Sequence, residues 1–552
     1  MRIKPVSRLP AGGLADLLLP VGLLGSLCLF VLWPMVCLLT RSFSDGAGGV
    51  TLEQYSQVWQ LYGGSLRNSL FSGALTALLC TALSVAAALS LTAARGWVKG
   101  LLAALLLVAM VSPPFVSSLA YIQLYGRRGW ITYRLLGLSR NPYNFWGVVW
   151  MQSLSFVPLN AVFLREVLQK LDQGVLRAAR DVGARPAAVL RDVIFPLLRP
   201  AILAVLLLSF LRSVADFGTP AIIGGRFQTL ASDIYLQLIG YSHLERAAAM
   251  NLFLLAPTIP AFWLYRRLLR RSDRLTGARQ ERRAPPQLAL CRCGGMGWLI
   301  LAVSTLFFGM TALQYLCVFV SGFLKISGGT ESFTLQNLHQ LARHDLVPLG
   351  RSLVYALIVA LAGTLFAALF AVYLERRRLP GRGFWDWLAS LPYMLPGTCF
   401  GIGYILAFGR PPFRLTGTAF LVMANMLFRQ LPATTRMCTA ALAHIPRSQE
   451  LSVRDLGGSQ WWVLRDVILP GLRPAFVSGF VYNLSSCMTT AGAVLFLIDP
   501  ARKLAVFRLF DAVYTGEYAL ASLLATAIIV TVLTVEGLVL LYTRKGRQPR
   551  VS

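Results

Sequence analysis

The chain has 552 residues, of which 56% are hydrophobic and 14% are charged, and its mean hydropathy is +0.62. Because an average soluble domain has about 25% charged residues, this composition excludes an ordinary soluble fold. The net charge of +29 would suit a nucleic-acid partner, but no basic polar domain stands apart from the apolar runs. We therefore expect no nucleic acid and place the chain in the lipid bilayer.

Apolar runs recur along the chain at about the 20-residue length that crosses the hydrocarbon core as a helix. The alternating segments of a membrane β-barrel do not occur. We predict an all-α integral membrane protein with about twelve transmembrane helices in two homologous six-helix halves. The predicted spans are 16–40, 69–93, 99–125, 144–166, 200–224 and 248–268 in the first half, and 297–321, 352–374, 384–408, 416–437, 473–498 and 518–543 in the second.

Arginine clusters set the predicted orientation, since cytoplasmic loops of membrane proteins are enriched in basic residues. Residues 266–292 hold nine arginines, and further clusters occur at 376–382 and 544–550. We therefore predict that both termini are cytoplasmic. The basic loop 126–143 falls on the predicted outer side and does not fit this rule. The predicted division is 1–268 for the first permease half, 269–294 for a basic cytoplasmic linker and 295–552 for the second permease half.

One loop occurs in both halves. Arg177–Pro200 reads RAARDVGARPAAVLRDVIFPLLRP and Leu451–Pro474 reads LSVRDLGGSQWWVLRDVILPGLRP, and the two agree without gaps at 13 of 24 positions. The match is better here than in the flanking spans, which indicates an internal duplication with a function kept in this loop.

Each copy predicts a capped short helix, a turn at a glycine and a proline at the start of the next span. The residues are Asp172, Gly183 and Pro196 in the first copy and Ser448, Gly457 and Pro470 in the second. Two such protruding loops on the cytoplasmic face would suit binding to a separate partner protein.

These loops resemble the EAA loop of binding-protein-dependent ABC importer permeases, in which the loop forms a coupling helix that sits in a groove of the ATPase subunit. The resemblance covers both halves and implies two fused permease subunits. The leading Glu of the motif is replaced by Arg177 and Leu451, while Glu450 lies one residue early, which leaves open whether the salt bridge of that Glu is kept. The resemblance implies ATPase-coupling roles for Ala178, Ala179, Asp181, Gly183, Pro196, Asp455, Gly457 and Pro470.

The sequence has no G-x-x-x-x-G-K-[ST] phosphate loop. We therefore expect no cofactor in this chain, with ATP used by partner subunits. The resemblance implies two ATPase subunits on the cytoplasmic side and a periplasmic or extracellular substrate-binding protein. It also implies a multi-pass location in the bacterial cytoplasmic (inner) membrane. A secondary transporter of twelve spans is the alternative, although it offers no reason for twin loops. An enzyme is not expected, because the four histidines are scattered.

Polar residues within the spans give candidates for a translocation path, because ionisable groups at membrane depth are costly. Arg212 and Asp216 have i, i+4 spacing and can pair on one helix face. The proline pairs at 113–114 and at 392 and 396 occupy matching places in the two halves, and paired broken helices point to a translocation path. Gly397 and Gly401 form a close-packing GxxxG motif. The candidate path residues are Arg212, Asp216, Thr219, Thr489 and Thr490.

The substrate is predicted from a second resemblance. The run Ala215–Gly240 and the run Met488–Ile498 look like those of fused ferric iron permeases, and carboxylate and hydroxyl oxygens suit a hard cation. Thiamine, polyamine, phosphonate and sugar phosphate remain alternatives, and Arg127 and Arg128 in the outer loop favour an anion. No resident metal site is predicted.

Overall fold

The computed structural model describes residues 14–44, 49–138, 141–241, 243–276, 290–327, 330–377 and 379–545. The helices of the first half are α1 Leu14–Leu27, α2 Trp33–Ser42, α3 Glu53–Ala93, α4 Gly96–Val111, α5 Phe115–Tyr125, α6 Phe145–Gln169, α7 Gln173–Asp181, α8 Pro186–Ala188, α9 Phe195–Ala215, α10 Gly218–Ile223, α11 Leu230–Tyr241 and α12 Leu244–Thr276. Those of the second half are α13 Gly294–Ser321, α14 Gln336–Gln340, α15 Leu346–Glu375, α16 Arg382–Met394, α17 Gly397–Phe408, α18 Ala419–Leu442, α19 Arg447–Asp455, α20 Gln460–Trp462, α21 Leu469–Thr489, α22 Ala505–Tyr514 and α23 Tyr518–Lys545.

Short π-helical and 3₁₀ segments extend several of these helices. The π-helical segments are Cys28–Leu32, Trp130–Leu135, Val189–Ile194, Leu341–Asp345 and Val463–Ile468, and the 3₁₀ segments are Leu290–Arg292 and Pro500–Arg502. In the described part of the chain, strands form only one antiparallel hairpin, β1 Leu324–Ser327 with β2 Thr330–Phe333, in which Leu324 pairs with Phe333.

The predicted all-α membrane architecture is confirmed. Nine helices of the described residues are long and apolar enough to cross a bilayer, and each of two bent helix pairs adds one span. The bent pairs are α4 with α5, at 110°, and α16 with α17, at 107°, and they coincide with the predicted third and ninth spans. The remaining predicted span, 416–437, is α18, whose 24 residues include Arg429 and Arg436 and are therefore less apolar than the others.

Two predicted spans run past the helices that form them. The prediction placed their ends at residues 224 and 498, whereas α9 ends at Ala215 and α21 ends at Thr489. The next residues, Asp216 and Thr490, both have extended backbone. Each break is followed by a further helix that the sequence did not predict, α11 or α22. Both halves therefore interrupt their fifth span at the same place.

The two halves share internal polar contacts as well as topology. The fourth-span helices α6 and α18 begin after side-chain caps at equivalent positions, Asn144 and Thr418. In the first half, Asn160 of α6 donates to Ser209 of α9 over 2.8 Å. In the second half, Thr434 of α18 donates to Asn483 of α21, also over 2.8 Å. Each bond joins buried side chains of the fourth and fifth spans, so it fixes the relative register of the two helices.

The first span of each half packs against the opposite half. The Phe30 ring, between α1 and α2, stacks on Phe428 of α18 with a centroid distance of 5.1 Å. In the reverse direction, Ser304 of α13 hydrogen-bonds Ser90 of α3 over 2.7 Å. Helix α13 also places Phe307 within the apolar core of the first half. The halves are thus held together by an exchange of their first helices.

The predicted linker 269–294 overlaps the end of α12 and the start of α13. Its arginines at 279, 282 and 283 lie outside the described residues. At the described C-terminal end of the linker, Leu290 and Cys293 are buried in an apolar cluster with residues of the first duplicated loop. The linker therefore returns to the bundle beside that loop.

Candidate coupling loops and translocation path

The short helix of each duplicated loop begins differently in the two copies. In the first copy, the Asp172 carboxylate accepts a hydrogen bond from the Gly174 N–H over 2.8 Å, which caps α7. In the second copy, α19 begins at Arg447 after Pro446, which has no side-chain cap. The predicted cap is thus confirmed at Asp172 and wrong at Ser448, which lies inside the helix because Pro446 already sets the extended backbone before it.

The end of each short helix is the same glycine turn. Gly183 has φ +85° and Gly457 has φ +79°, a left-handed conformation in which glycine avoids the steric cost of a Cβ. The Gly183 N–H bonds the Arg180 carbonyl over 2.8 Å, and the Gly457 N–H bonds the Arg454 carbonyl over 2.9 Å. In each copy, the N–H of the next residue bonds the carbonyl five residues before it, which completes a Schellman motif. The predicted break at both glycines is confirmed.

The identical letters VLRDVI form a π-helical segment in both copies, Val189–Ile194 and Val463–Ile468. These segments run without interruption into α9 and α21, so each fifth span is a single 30-residue helix that starts inside the loop. Pro196 and Pro470 lie just after the π turns. Proline lacks an N–H and its ring crowds the carbonyl four residues earlier, and a preceding wide turn accommodates both effects.

The first loop is anchored by apolar packing. The side chain of Leu176 in α7 is only 2% exposed. It lies in a cluster with Val189 and Leu190 of the π segment and with Leu290 and Cys293 of the returning linker. Burial of one leucine contributes about 1.5–3 kcal/mol, so these contacts can hold a nine-residue helix against the bundle.

The second loop is anchored by charge. Glu450 occupies the position equivalent to Leu176, and its carboxylate lies 3.2 Å from the Arg376 guanidinium. The same guanidinium donates to the carbonyls of Leu442 and Ile445 over 2.5 and 2.7 Å. The displaced Glu therefore does make a salt bridge, to an arginine of the loop after α15, which resolves the point that the sequence left open.

Each loop presents one almost fully exposed apolar side chain beside its glycine turn. Val182 and Leu456 occupy equivalent positions, and both are 89% exposed. The second loop adds the exposed Trp461 and Trp462, and Arg465 lies 5.5 Å over the Trp462 ring. Of the predicted coupling residues, Ala179 is half-buried. The others are exposed: Ala178, Asp181, Gly183, Pro196, Asp455, Gly457 and Pro470.

Asp216 does not pair with Arg212, so the predicted pairing is wrong. The reason is that α9 ends at Ala215, and Asp216 therefore leaves the helix face that Arg212 occupies. The Asp216 carboxylate instead accepts hydrogen bonds from the N–H groups of Gly218 and Thr219, over 3.0 and 3.3 Å. It also accepts from the Gln152 amide over 2.9 Å. Asp216 thereby satisfies backbone groups that the helix break leaves open.

The threonines have related local roles. Thr219 is buried at the start of α10. The Thr489 hydroxyl donates to the Ser485 carbonyl over 2.9 Å. The Thr490 hydroxyl bonds the Ser486 carbonyl and accepts from the Gln430 amide over 3.4 Å. Thr490, the first residue after α21, is therefore hydrogen-bonded to a side chain of a second span, α18.

The helix breaks of the two halves meet. A Cβ at Gly218 would clash with Phe115, the first residue of α5 beyond the proline break, at 2.5 Å. In the second half, a Cβ at Gly397 would lie 3.1 Å from the Ala493 nitrogen, and one at Gly492 would lie 3.5 Å from Phe217. Each broken fifth span therefore packs against the bent pair of its own half, and the two breaks touch through Phe217 and Gly492.

The GxxxG motif of α17 lies at this junction. A Cβ at Gly401 would come within 2.6 Å of the Ala493 carbonyl oxygen. Only glycine permits such an approach of α17 to the segment after α21. The predicted close packing is confirmed.

The sequence did not single out one group of residues near the junction: Arg429 and Gln430 of α18 and Tyr482 of α21. The Tyr482 hydroxyl donates to Gln430 over 3.3 Å. Arg429 lies beside the bend between α16 and α17, where its Nη2 would be 3.2 Å from a Cβ at Gly397. The available signal was an arginine in the middle of the predicted span 416–437, which is as unusual as the arginine in span five.

No set of three or more His, Cys, Asp or Glu side chains is placed to hold a metal ion within the described residues. The polar groups at the junction are instead arginines, amides and hydroxyls. The arrangement places charged and hydrogen-bonding groups beside the junction of two interrupted spans.

The duplicated loops and the two broken spans that meet between the halves are features expected of a two-halved membrane transport permease. The chain matches the family described as binding-protein-dependent transport system inner membrane component over residues 80–274 and again over 363–545. It belongs to this family, and it is a multi-pass ABC importer permease.

Two relatives are similar over both halves. One is the putative ferric transport system permease protein FbpB 1 of Haemophilus influenzae, 29% identical over 497 residues, which cover 87% of this chain and 77% of the relative. The other is the ferric transport system permease protein FbpB of Actinobacillus pleuropneumoniae, 27% identical over 525 residues, which cover 92% of this chain and 75% of the relative. The putative 2-aminoethylphosphonate transport system permease protein PhnU of Salmonella typhimurium is 27% identical over 260 residues, 45% of this chain and 90% of the relative. These relatives are transport permeases and not enzymes.

Proposed function

We propose that this permease imports ferric iron. The observation that carries the proposal is the similarity to two permeases named for ferric transport, which extends over 87% and 92% of this chain and includes both halves. The cargo passes between the halves, along a path that includes Arg212, Asp216, Thr219, Thr489 and Thr490. A periplasmic or extracellular binding protein delivers it.

Two separate ATPase subunits bind the duplicated loops and use ATP, for which this chain has no phosphate loop. Each ATPase receives one short helix, α7 or α19, with the adjacent exposed apolar residue, Val182 or Leu456. The support is structural: both helices end in the same glycine turn, and both leave an apolar side chain 89% exposed beside it. Because the exposed apolar residue recurs at the equivalent position of both loops, it suits contact with a partner that is present in two copies.

The loops, the linker and both termini face the cytoplasm. In support, the C-terminal end of the linker packs on the first loop through Leu290. The arginine cluster after α15 contacts the second loop through Arg376. Elements assigned to the cytoplasm by their arginines thus lie beside the duplicated loops, as the positive-inside rule requires. The division at 269–294 into two permease halves follows from the same arrangement.

A phosphonate is the second candidate cargo. It is favoured by the similarity of one half to a permease named for 2-aminoethylphosphonate transport, and by the two arginines near the junction. Guanidinium groups bind phosphonate and phosphate oxygens in a bidentate manner.

The cargo is tested by uptake into vesicles that contain the permease with its ATPases and its loaded binding protein. We expect ATP-dependent accumulation of labelled ferric iron and no accumulation of labelled 2-aminoethylphosphonate. Uptake of the phosphonate without iron would replace the first candidate by the second.

Coupling is tested by site-directed cross-linking. In a background with the exposed Cys291 replaced by Ser, Val182→Cys and Leu456→Cys should each cross-link to an ATPase subunit. Leu135→Cys is the matched control, since Leu135 is 76% exposed but lies in the basic loop of the predicted outer side. Cross-linking of the control, or of neither loop, would contradict the assignment.

A further inference from the structure

Several arginines within the spans have a buried nitrogen with no hydrogen-bond partner among the described residues, and two of them, Arg212 and Arg429, lie near the junction of the helix breaks. The Nη1 atoms of Arg212 and Arg429 are buried, and neither has a hydrogen-bond partner. Neither arginine forms an ion pair within 4.0 Å with another described residue. An arginine stays charged in a protein, and a buried donor without a partner is costly, so these guanidinium groups are poised for an anion.

The two arginines come from different halves and approach the junction from two sides. The Arg212 guanidinium of α9 lies 4.7 Å over the Phe156 ring, which fixes its plane. Arg429 of α18 lies at the bend between α16 and α17, where its Nη2 would be 3.2 Å from a Cβ at Gly397. Arg212 lies four residues before the break at Asp216, and the breaks of the two halves meet at Phe217 and Gly492. Both arginines therefore lie beside the junction.

The one carboxylate that the sequence places near them is already occupied. Asp216 accepts from Gln152 and from two backbone N–H groups, which stabilise its negative charge, and the two guanidinium groups outnumber this single carboxylate. The remaining groups around Tyr482 are neutral: the Gln430 amide and the Thr490 hydroxyl. The local field is positive, so it repels a bare trivalent cation and attracts an oxyanion.

We propose that Arg212 and Arg429 form an oxyanion site in the translocation path, and that ferric iron crosses as a complex with an oxyanion ligand and not as the bare ion. The inference rests on the proposed ferric function for the identity of the metal. The oxyanion site itself follows from the arginines alone, and a phosphonate cargo would use the same chemistry. The two guanidinium groups bind the anion's oxygens by charge-assisted hydrogen bonds, while the metal passes on the side of the neutral amide and hydroxyl groups.

The test uses vesicles that contain the complete complex, with the binding protein loaded with labelled ferric iron and differently labelled inorganic phosphate. We expect both labels to accumulate together. Arg212→Gln and Arg429→Gln should each reduce iron uptake by about tenfold or more, the value of one lost charge-assisted interaction. Arg436→Gln is the matched control, because Arg436 lies on the same helix as Arg429 but is exposed, and it should transport iron normally.

Basal ATP hydrolysis by each assembled variant shows whether the complex is intact, and Arg429→Lys separates charge from geometry. Lys keeps the charge without the bidentate fork, so its uptake should fall between wild type and Arg429→Gln. Iron uptake without phosphate, or at the wild-type rate in both Gln variants, would overturn the inference while leaving the ferric function in place. If 2-aminoethylphosphonate enters instead of iron, the ferric function is wrong. The oxyanion site then stands if that uptake falls in the Gln variants and fails if it does not.

Discussion

The two duplicated loops reach one backbone shape by different side-chain contacts. In the first loop, Leu176 is buried among apolar residues that include the end of the linker. In the second, the equivalent Glu450 pairs with Arg376, which also binds two carbonyls. Two features are the same in both loops, the segment VLRDVI and the turn at the glycine. These features set the backbone conformation of the loop. The comparison teaches that the duplication kept the backbone shape of the loop, whereas the side-chain contacts that anchor it differ between the two halves.

The largest effect should follow from removing the ionic anchor. Arg376→Ala leaves Glu450 without its partner and two carbonyls without a donor, which should destabilise α19 by about 3 kcal/mol. Hydrogen exchange of the α19 amides should accelerate, while exchange in α7 should stay unchanged. Equal acceleration in both helices would show that the loops are not anchored independently.

The ionic anchor can also be exchanged for an apolar one. Replacing both partners, with Arg376→Leu and Glu450→Leu together, should recover part of the lost α19 protection, because two apolar side chains leave no buried charge unpaired. Glu450→Leu alone is the control and should be less protected than the double variant. A double variant that is worse than either single one would mean that the carbonyl contacts of Arg376 dominate the anchor.

The apolar anchor of the first loop should give the next largest effect. Leu176→Ala removes a buried leucine side chain, which costs about 2–3 kcal/mol where the surroundings can partly collapse. The affected region should be α7, as measured by the same exchange experiment, with α19 unaffected. The exposed Val175 provides the control, since Val175→Ala removes an apolar side chain of the same helix that is 47% exposed. Matching effects at the two positions would contradict the burial argument.

The glycine turns should be sensitive in both loops by a smaller and similar amount. Gly183→Val and Gly457→Val place a β-branched side chain at a positive φ, which costs about 1–2 kcal/mol, although no atom lies within 4 Å of an added Cβ at either site. Transport should fall steeply while membrane insertion persists, because the end of the coupling helix is reoriented. Asn tolerates this conformation better, so Gly→Asn variants should retain more uptake, and equal loss with Asn and Val would exclude backbone strain as the cause.

The smallest effect should come from the tryptophan pair that only the second loop carries. Trp461→Ala and Trp462→Ala convert those positions to the residues found at Ala187 and Ala188 of the first loop. Because the two rings are 60% and 49% exposed, the fold should be unaffected. Binding of the ATPase should weaken by about 1 kcal/mol or less, as measured with the purified subunit. An unchanged affinity would show that the tryptophans face lipid headgroups or solvent in the complex.

Much of this architecture could be predicted from the sequence, because each successful inference rested on a local physical requirement. Apolar length predicted the spans, Gly183 and Gly457 predicted the turns, and the proline pairs predicted the bends. The ends of the two fifth spans were predicted too late, at 224 and 498, because the residues after Asp216 and Thr490 remain apolar enough to continue a span. Phe217 and Gly492, which follow the breaks in opposite halves, lie close together, and such a contact cannot be predicted from either half alone.

The same limit applies to the candidate site. Arg212 and Asp216 have helical spacing, and that spacing predicts a pair only if the helix continues through both residues. Arg429 was visible as a charge in an apolar run, but its place beside Gly397 at the bend between α16 and α17 depends on tertiary packing. Glu450 illustrates the reverse case: a motif residue displaced by one position keeps its salt bridge because its partner, Arg376, lies on a different helix end.

The exchanged first helices have a consequence for how the chain is made. During synthesis, the aromatic face around Phe30 enters the membrane long before its partner Phe428 exists. The first half must therefore wait in the bilayer with an unfilled seam, and it completes its own core only when α13 arrives to place Phe307 there. Joining the halves in one polypeptide keeps the late partner tethered nearby, which raises its effective concentration and shortens the interval in which a stray helix could occupy the gap.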